Sequence, residues 1–316
     1  MLRLTIFTPT YNRGYILEKL YRSLQRQTIF DFEWLVINDG STDNTDDLFN
    51  QWLMEDNKFP IRYYKQTNKG LMVGFNRGVE LAKGIYLSKI DSDDYVSNDC
   101  VEYLLKWLDT IKDNKVVYAV GGMRGTVGGI PLKGEGEWPL IDKKTGYLDI
   151  YDYERKQYNL DADMTEAWNV SVLRNFPFPV FEGEFFAPEA IVFNAVAVAG
   201  HKIRWFPKII CICEYQNDGL TKNDVLMQKR NPLGFSMAWK YKLKQKISFK
   251  SKMFCLAQSG ALALYSGKPK YIWIDNDHKF LSTILLPVSY LIFLRRRKQF
   301  ENCIYSELMN PKNTIS

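Results

Sequence analysis

The chain has 316 residues, 46% hydrophobic and 25% charged, a balance that excludes a disordered chain and suits one large α/β domain, alone or with an extension. The net charge of +6 is partly local, since Arg295-Arg296-Arg297-Lys298 supplies four positive charges; no broad basic stripe of the kind that tracks nucleic acid is present, which argues against a nucleic-acid partner. Five cysteines (Cys100, Cys211, Cys213, Cys255, Cys303) against two histidines (His201, His278) read as buried thiols in a reducing compartment rather than a disulfide framework or a zinc site.

The opening run Met1 to Phe7 is too short for a signal peptide and reads as the start of a strand over residues 2–8. Ile16, Leu17, Leu20, Tyr21 and Leu24 have helical spacing and predict a helix over 14–27. A compact apolar strand over 33–37 ends at Asn38-Asp39-Gly40, and a helix over 42–54 follows with Ser41 or Thr42 as its cap. A strand over 61–66, a helix over 71–83 and a strand over 84–90 continue the alternation. This β-α-β-α-β-α-β pattern implies a parallel sheet with helices on both faces. A helix over 96–111 and a strand over 116–122 come next. Residues 121–136 are glycine-rich and read as loop, and 137–188 are rich in aromatics and acids. A helix over 190–199 and a strand over 203–214 precede a helical pattern over about 224–245, 250–266 and 276–299.

Three strand ends carry polar side chains. Asp91-Ser92-Asp93-Asp94 follows the fourth strand and sets three carboxylates where open α/β sheets place their ligands. Packed carboxylates repel one another unless a cation or proton compensates them. Alternation along an extended backbone aims Asp91 and Asp93 to one side, a seat for a hard divalent ion that also holds phosphates. The alternative is a helix N-cap with extra acid in the first turn. Thr8-Pro9-Thr10-Tyr11-Asn12-Arg13 closes the first strand. Pro9 removes a donor and ends the ladder, leaving Thr10, Tyr11 and Asn12 to contact a flat ring; an ordinary βα turn is the alternative. Asp39-Gly40-Ser41-Thr42-Asp43 closes the second strand. Gly40 permits a tight turn, and Asp39 is free to accept from an N–H such as a pyrimidine imide.

Taken together, Thr8-Pro9-Thr10-Tyr11-Asn12, Val36 to Asp43 and Asp91-Ser92-Asp93-Asp94 resemble the successive signatures of family 2 glycosyltransferases, over about residues 1–120. The resemblance implies the GT-A fold, a Rossmann-like, mostly parallel sheet with flanking helices, here followed by a helical C-terminal extension. The expected division is a catalytic domain over 1–220, with a donor half (1–120) and an acceptor half (121–220), and an extension over 221–316. The activity implied is inverting transfer of a sugar from a nucleotide-diphosphate donor, a UDP-sugar, to a glycan or lipid-linked hydroxyl. By the same resemblance Thr8, Pro9, Thr10, Tyr11, Asn12 and Arg13 hold the nucleotide and Asp39 reads its base. Lys69 and Asn76 line the donor pocket, in a segment that departs from the family's commonest form. Asp91 and Ser92 meet the donor, and Asp93 with Asp91 holds Mn²⁺ or Mg²⁺.

Glu189, just before the helix over 190–199, matches the family's general base, and the positive end of that helix favours the ionised form a base needs. Glu184 is the alternative base, and a helix-start carboxylate without chemistry is the alternative role for Glu189. Glu214 to Thr221 resembles a segment that follows the last strand in bacterial members and reads as a flap over the diphosphate; a glycine turn is the alternative.

Residues 280–294 are 15 residues without a charge and run directly into the basic cluster. A spanning helix needs about 20 residues, so a segment lying in the membrane interface, with residues 280–298 on anionic headgroups, fits better. The alternative is a helix buried on the catalytic domain. With the family resemblance, this predicts a cytoplasmic enzyme, peripheral at the inner face of the cell membrane. Two rivals carry other expectations. A sugar nucleotidyltransferase opens with a glycine-rich phosphate loop and a lysine, absent from Thr8 to Arg13. A catalytically silent membrane-surface binding protein of this fold would show no metal-dependent release of UDP. The lack of G-x-G-x-x-G after the first strand argues against a dehydrogenase.

Overall fold

The computed structural model describes residues 2–132, 140–160, 162–214 and 224–308, the last six of these as backbone only. Two compact units emerge: Met1–Pro177 with Ala199–Tyr215, and Phe178–Val198 with Gln216–Ser316. Residues 178–198 thus group with the C-terminal helices.

The first unit opens with β1 (Leu4–Thr10), α1 (Leu17–Gln25), β2 (Phe32–Asn38), α2 (Thr45–Trp52), β3 (Ile61–Lys65), α3 (Leu71–Leu81) and β4 (Tyr86–Lys89). It continues with β5 (Asp94–Val96), α4 (Cys100–Asp109), β6 (Val117–Gly125), β7 (Leu148–Ile150), β8 (Met164–Asn169) and α5 (Val170–Leu173). After α6 (Ala190–Val198) of the second unit, β9 (Lys202–Cys213) completes the sheet. The strand order is β3-β2-β1-β4-β8-β6-β9-β5, with β7 also on β9. The β1–β2, β1–β4, β2–β3 and β6–β9 ladders are parallel. β8 enters antiparallel between β4 and β6, and β5 and β7 are antiparallel to β9.

All seven residues of β2 are buried, which explains its continuous apolar run: a parallel strand covered on both faces needs no polar alternation. Its one charge, Glu33, accepts from Thr5 Oγ1 and the Lys83 N–H at 2.8 Å each and pairs with Arg62 at 3.1 Å. On one face Tyr21 of α1 stacks on Trp52 of α2 at 4.4 Å and on Trp34 of β2 at 5.9 Å, with Phe49 against both tryptophans. These large rings fix both helices to the sheet.

Four expectations need correction. Pro9 does not end the ladder: β1 runs to Thr10, with Pro9 opposite Ile37 of β2. It is tolerated because the β4 ladder stops at Phe7, so no partner awaits its missing N–H on that side. The acid run is not in the first turn of a helix, and only Asp94, the first residue of β5, is extended. The Asp94 N–H donates to the Asp91 carbonyl at 3.1 Å, closing a turn that leads into β5, and α4 begins only at Cys100. Gly121 to Gly125 lie in β6 and not in a loop. Trp205 fills the space over Gly121, and Ile210 and Trp107 fill that over Gly122. Lastly, Ser41 and Thr42 do not cap α2; Asp43 accepts from the Thr45 N–H at 3.1 Å instead.

In the second unit α7 (Asp224–Arg230), α8 (Pro232–Leu243), α9 (Phe249–Tyr265), α10 (Lys279–Ile284) and α11 (Leu286–Leu308) follow α6. The expected helix over 224–245 breaks at Asn231-Pro232, where proline serves as the first residue of α8. Ser248 caps α9 by accepting from the Ser251 N–H. A Cβ at Gly260 of α9 would lie 2.5 Å from Ser289 Oγ of α11, so these helices approach closely over small residues. Among the described residues no helix is long and apolar enough to cross a membrane.

Candidate active site

Because β2 and β4 flank β1, the chain switches direction at β1, and ligands of such sheets bind beside a switch of this kind, at the strands' carboxyl ends. The loops there are laced together. Asn12 has a left-handed backbone (φ 51°). Its N–H donates to Ser41 Oγ at 2.9 Å, and its Oδ1 accepts from the Thr42 N–H at 2.8 Å. The Gly14 N–H donates to Asp43 Oδ2 at 2.9 Å. Burial pushes the Asp43 pKa up, but the hydrogen bonds from Thr45 and Gly14 outweigh it and hold the carboxyl below its ordinary value. Thr8 accepts from the Trp34 indole N–H at 3.1 Å, a contact within the core. Thr10 Oγ1 is buried at the end of β1 with no hydrogen-bond partner among the described residues, while Tyr11 beside it is exposed. A partnerless hydroxyl next to an exposed ring suits a polar, planar ligand.

Asp39 is buried and is not the free acceptor expected. Its Oδ1 accepts from Gln66 Nε2 at 2.7 Å and the Lys69 N–H at 3.0 Å, and its Oδ2 from the Gly70 N–H at 2.7 Å. Three of roughly four acceptor positions are therefore engaged. Gly70 enters α3 at φ 89°, which glycine adopts without strain. Lys69 joins the site through its backbone. On α3, Arg77 donates to Gln66 Oε1 at 2.9 Å and extends this network. Asn76 instead lines a cavity of about 210 Å³ with Phe75, Val79, Leu173, Arg174 and Phe176.

At the end of β4 the carboxylates are unequal. Asp91 keeps 30% of its side chain exposed; Lys89 Nζ lies 2.7 Å from its Oδ1 and the Arg124 guanidinium 3.3 Å from its Oδ2. Burial opposes its ionisation, but these two cations prevail and hold its pKa well below the ordinary range. Arg124 also pairs with Asp94 at 2.9 Å and donates to the Met164 carbonyl and Thr165 Oγ1. Burial raises Asp94 to about 6, against the pull of Arg124 and with the charge of Asp91 adding to the rise. Asp93 is raised too, by burial and then by Asp91, with Arg13 and Lys89 opposing. A hard divalent cation fits this turn. Asp91 and Asp93 offer oxygen ligands, and Asp93 is a carboxylate whose charge the protein leaves under-compensated. Lys89 and Arg124, which set these properties, were not among the expected site residues. Sequence spacing gives no sign of Arg124, 33 positions away.

A second cluster, Asp94 with Cys211 and Cys213 of β9, brings its ligand atoms within 4.8 Å. The hydrogen bond with Cys211 and burial hold the Cys213 thiol well above its ordinary pKa, so it keeps its proton and offers no thiolate; the cluster reads as a wall behind the turn.

In the second unit Glu189 directly precedes α6, its carbonyl accepting from the Val192 and Phe193 N–H groups. Glu184 spends both carboxylate oxygens on the Leu233 and Gly234 N–H groups at 2.8 Å, anchoring the start of α8. Burial raises its pKa despite those bonds. Of the expected flap, Glu214 ends the strand region and pairs with Lys19; residues 215–221 lie outside the described residues, as does the side chain of Cys303.

Residues 5–163 match the profile described as glycosyl transferase family 2. The chain is 28% identical over 178 residues to a chondroitin synthase of Pasteurella multocida, an alignment covering 56% of this chain and 18% of that one. It is 34% identical over 115 residues to glycosyltransferase GlyG of Streptococcus pneumoniae, covering 36% and 37%. The chain thus spans well under two thirds of the length of these relatives. Among solved structures, S. aureus TarS 1-349 in complex with UDP-GlcNAc superposes with a TM-score of 0.54 at 15% identity, covering 86% of this chain and 89% of that one. The mannosyltransferase PcManGT of Pyrobaculum calidifontis, in complex with GDP-Man and Mn²⁺, gives 0.55 at 15% identity, covering 92% and 87%. At such identity the structural likeness speaks to the fold.

Proposed function

Because the chain belongs to glycosyl transferase family 2, we propose that it moves a sugar from a UDP-sugar to a hydroxyl of a glycan or lipid-linked acceptor, with inversion. The observation that carries this reading is the turn after β4, where Asp91 is compensated by Lys89 and Arg124 while Asp93 is not compensated to the same degree. A divalent ion at Asp93 and Asp91, Mn²⁺ or Mg²⁺, would offset the charge on the departing diphosphate. The TarS complex with UDP-GlcNAc and the PcManGT complex with GDP-Man and Mn²⁺ support a nucleotide-sugar donor and a divalent ion.

The chain's own residues have separate roles in this reading. Thr10, Tyr11 and Asn12 receive the nucleotide at the end of β1, and Arg13 adds positive charge near Asp93. Asp39 holds the Lys69-Gly70 loop that borders the donor. Glu189 takes the proton of the acceptor hydroxyl as its oxygen bonds to the anomeric carbon. The bond from that carbon to the diphosphate oxygen breaks on the opposite face, its electron pair leaving with the nucleotide, so the configuration inverts. Glu184, committed to α8, is the weaker base. The place of action in this reading is the inner face of the cell membrane, where lipid-linked acceptors present hydroxyls.

The test is calorimetric titration with UDP-sugars, with and without Mn²⁺. Asp93→Ala should remove the Mn²⁺-dependent part of donor binding; unchanged affinity would refute the metal role. Glu189→Gln should bind donor as the parent does and turn over about 10²–10⁴-fold more slowly, whereas parental turnover would place the base on another residue.

A further inference from the structure

The outward side of α10 and α11 is apolar. Phe280 is 77% exposed, Ile284 54%, Val288 44%, Leu291 66% and Leu294 43%. Steps of four, four, three and three residues keep them on one side, and a single residue, Leu285, separates the two helices. The opposite side carries Ser282, Leu285, Ser289 and Phe300, all buried; α9 covers it at Ser289 against Gly260 and at Phe300 against Tyr265. Single exposed apolar residues are ordinary, but a contiguous row marks a surface that meets something.

The basic cluster divides in the same way. Arg296 turns inward to Gln258 and Gln228. Arg295, Arg297 and Lys298 stay exposed on the turn that continues the apolar row, with Glu301 offsetting Arg297 at 3.0 Å. Among these exposed residues the order along the helix is therefore apolar, then cationic.

We propose that this face docks on an anionic lipid bilayer. The row from Phe280 to Leu294 enters the boundary between headgroups and acyl chains, and Arg295, Arg297 and Lys298 rest on the anionic headgroups. The charge next to the row selects this occupant: an apolar partner protein does not call for the outward cations Arg295 and Lys298 on the turn that continues the row, and an anionic membrane does. The inference gives the proposed transferase its station but stands on the geometry of α10 and α11, so either can fail without the other.

Flotation of the full chain with phosphatidylcholine vesicles, with and without phosphatidylglycerol, tests it. Binding should require the anionic lipid and weaken in high salt. Leu291→Glu with Leu294→Glu, and separately Arg295→Glu with Lys298→Glu, should each cut the bound fraction about tenfold, with parental circular dichroism. Parental Mn²⁺-dependent UDP-sugar binding in these variants would keep the transfer reading intact. Absence of flotation with anionic vesicles, or equal flotation of parent and variants, would overturn the proposal. So would a concentration-dependent dimer, seen by sedimentation, that the leucine variants abolish while vesicles capture nothing; the face would then join two copies.

Discussion

The two units treat buried charge differently. In the sheet-bearing unit, apart from Asp39, which Gln66 and two backbone N–H groups hold, charge meets charge: Glu33 meets Arg62, Asp91 meets Lys89 and Arg124, Asp94 meets Arg124, and Asp149 meets Arg204. In the helical unit buried polar groups meet the backbone. Glu184 takes two N–H groups of α8, Asn231 accepts from the Phe185 and Phe186 N–H groups, and Lys240 donates to the Tyr271 and Ile274 carbonyls. Ion pairs set the protonation of a neighbouring carboxylate, as a site that binds a cation and phosphates requires. Backbone groups position a helix and offset only part of burial's effect on the Glu184 carboxylate.

The contrast is broken most directly at Arg124. Removing one member of a buried charge cluster leaves its partners uncompensated, at a cost of about 3–5 kcal/mol. Arg124→Met should lower stability by that amount in chemical denaturation, and adding Asp94→Asn should restore part of it. A loss within about 1 kcal/mol, the range of surface pairs, would mean that charge pairing does not organise this unit.

Lys240 sharpens the other side of the contrast. Burial lowers its pKa from 10.5 to about 8, with Asp275 opposing. Between these values the unfolded chain binds the proton more often than the fold does. Stability of the helical unit should therefore rise with pH across that window and be flat outside it. The full rise is about 3 kcal/mol, read as the pH dependence of the denaturation midpoint. Lys240→Met should flatten the profile; a rise that survives the substitution would assign the effect to another group.

What could be read in the sequence was what depends on near neighbours. The alternation from β1 to β4 shows in apolar runs and helical spacing because each element buries its own face. The three polar strand ends are visible for the same reason, each lying a few residues from its strand. Four features depended on contacts distant in sequence. β5 has three residues and exists because β9 pairs with it. The glycines of β6 look like loop until Trp205, Trp107 and Ile210 fill the space over them. Arg124 gains its role through Asp91 and Asp94. Asn76 and Arg77 are one residue apart, yet about 100° of helix turn sends one to a cavity and the other to Gln66.

Asp39 is where sequence and structure give the same residue different work, and the two roles can be separated. An acceptor held free for a nucleotide base contributes to affinity and little to stability. An acceptor that ties Gln66, Lys69 and Gly70 contributes to stability and shapes the donor pocket indirectly. Asp39→Asn keeps one oxygen, which can serve Gln66 and the Lys69 N–H, but sets an amide N–H₂ against the Gly70 N–H. A buried donor left without its acceptor costs about 1–3 kcal/mol. The variant should therefore lose about 2 kcal/mol of stability, and the Gly70 amide should exchange with solvent faster even without donor. If donor affinity falls while stability and Gly70 exchange stay parental, Asp39 reads the base and the loop is held by its remaining contacts. If stability falls first, charge here is spent on the loop, and base recognition passes to Thr10, Tyr11 and Asn12 at the end of β1.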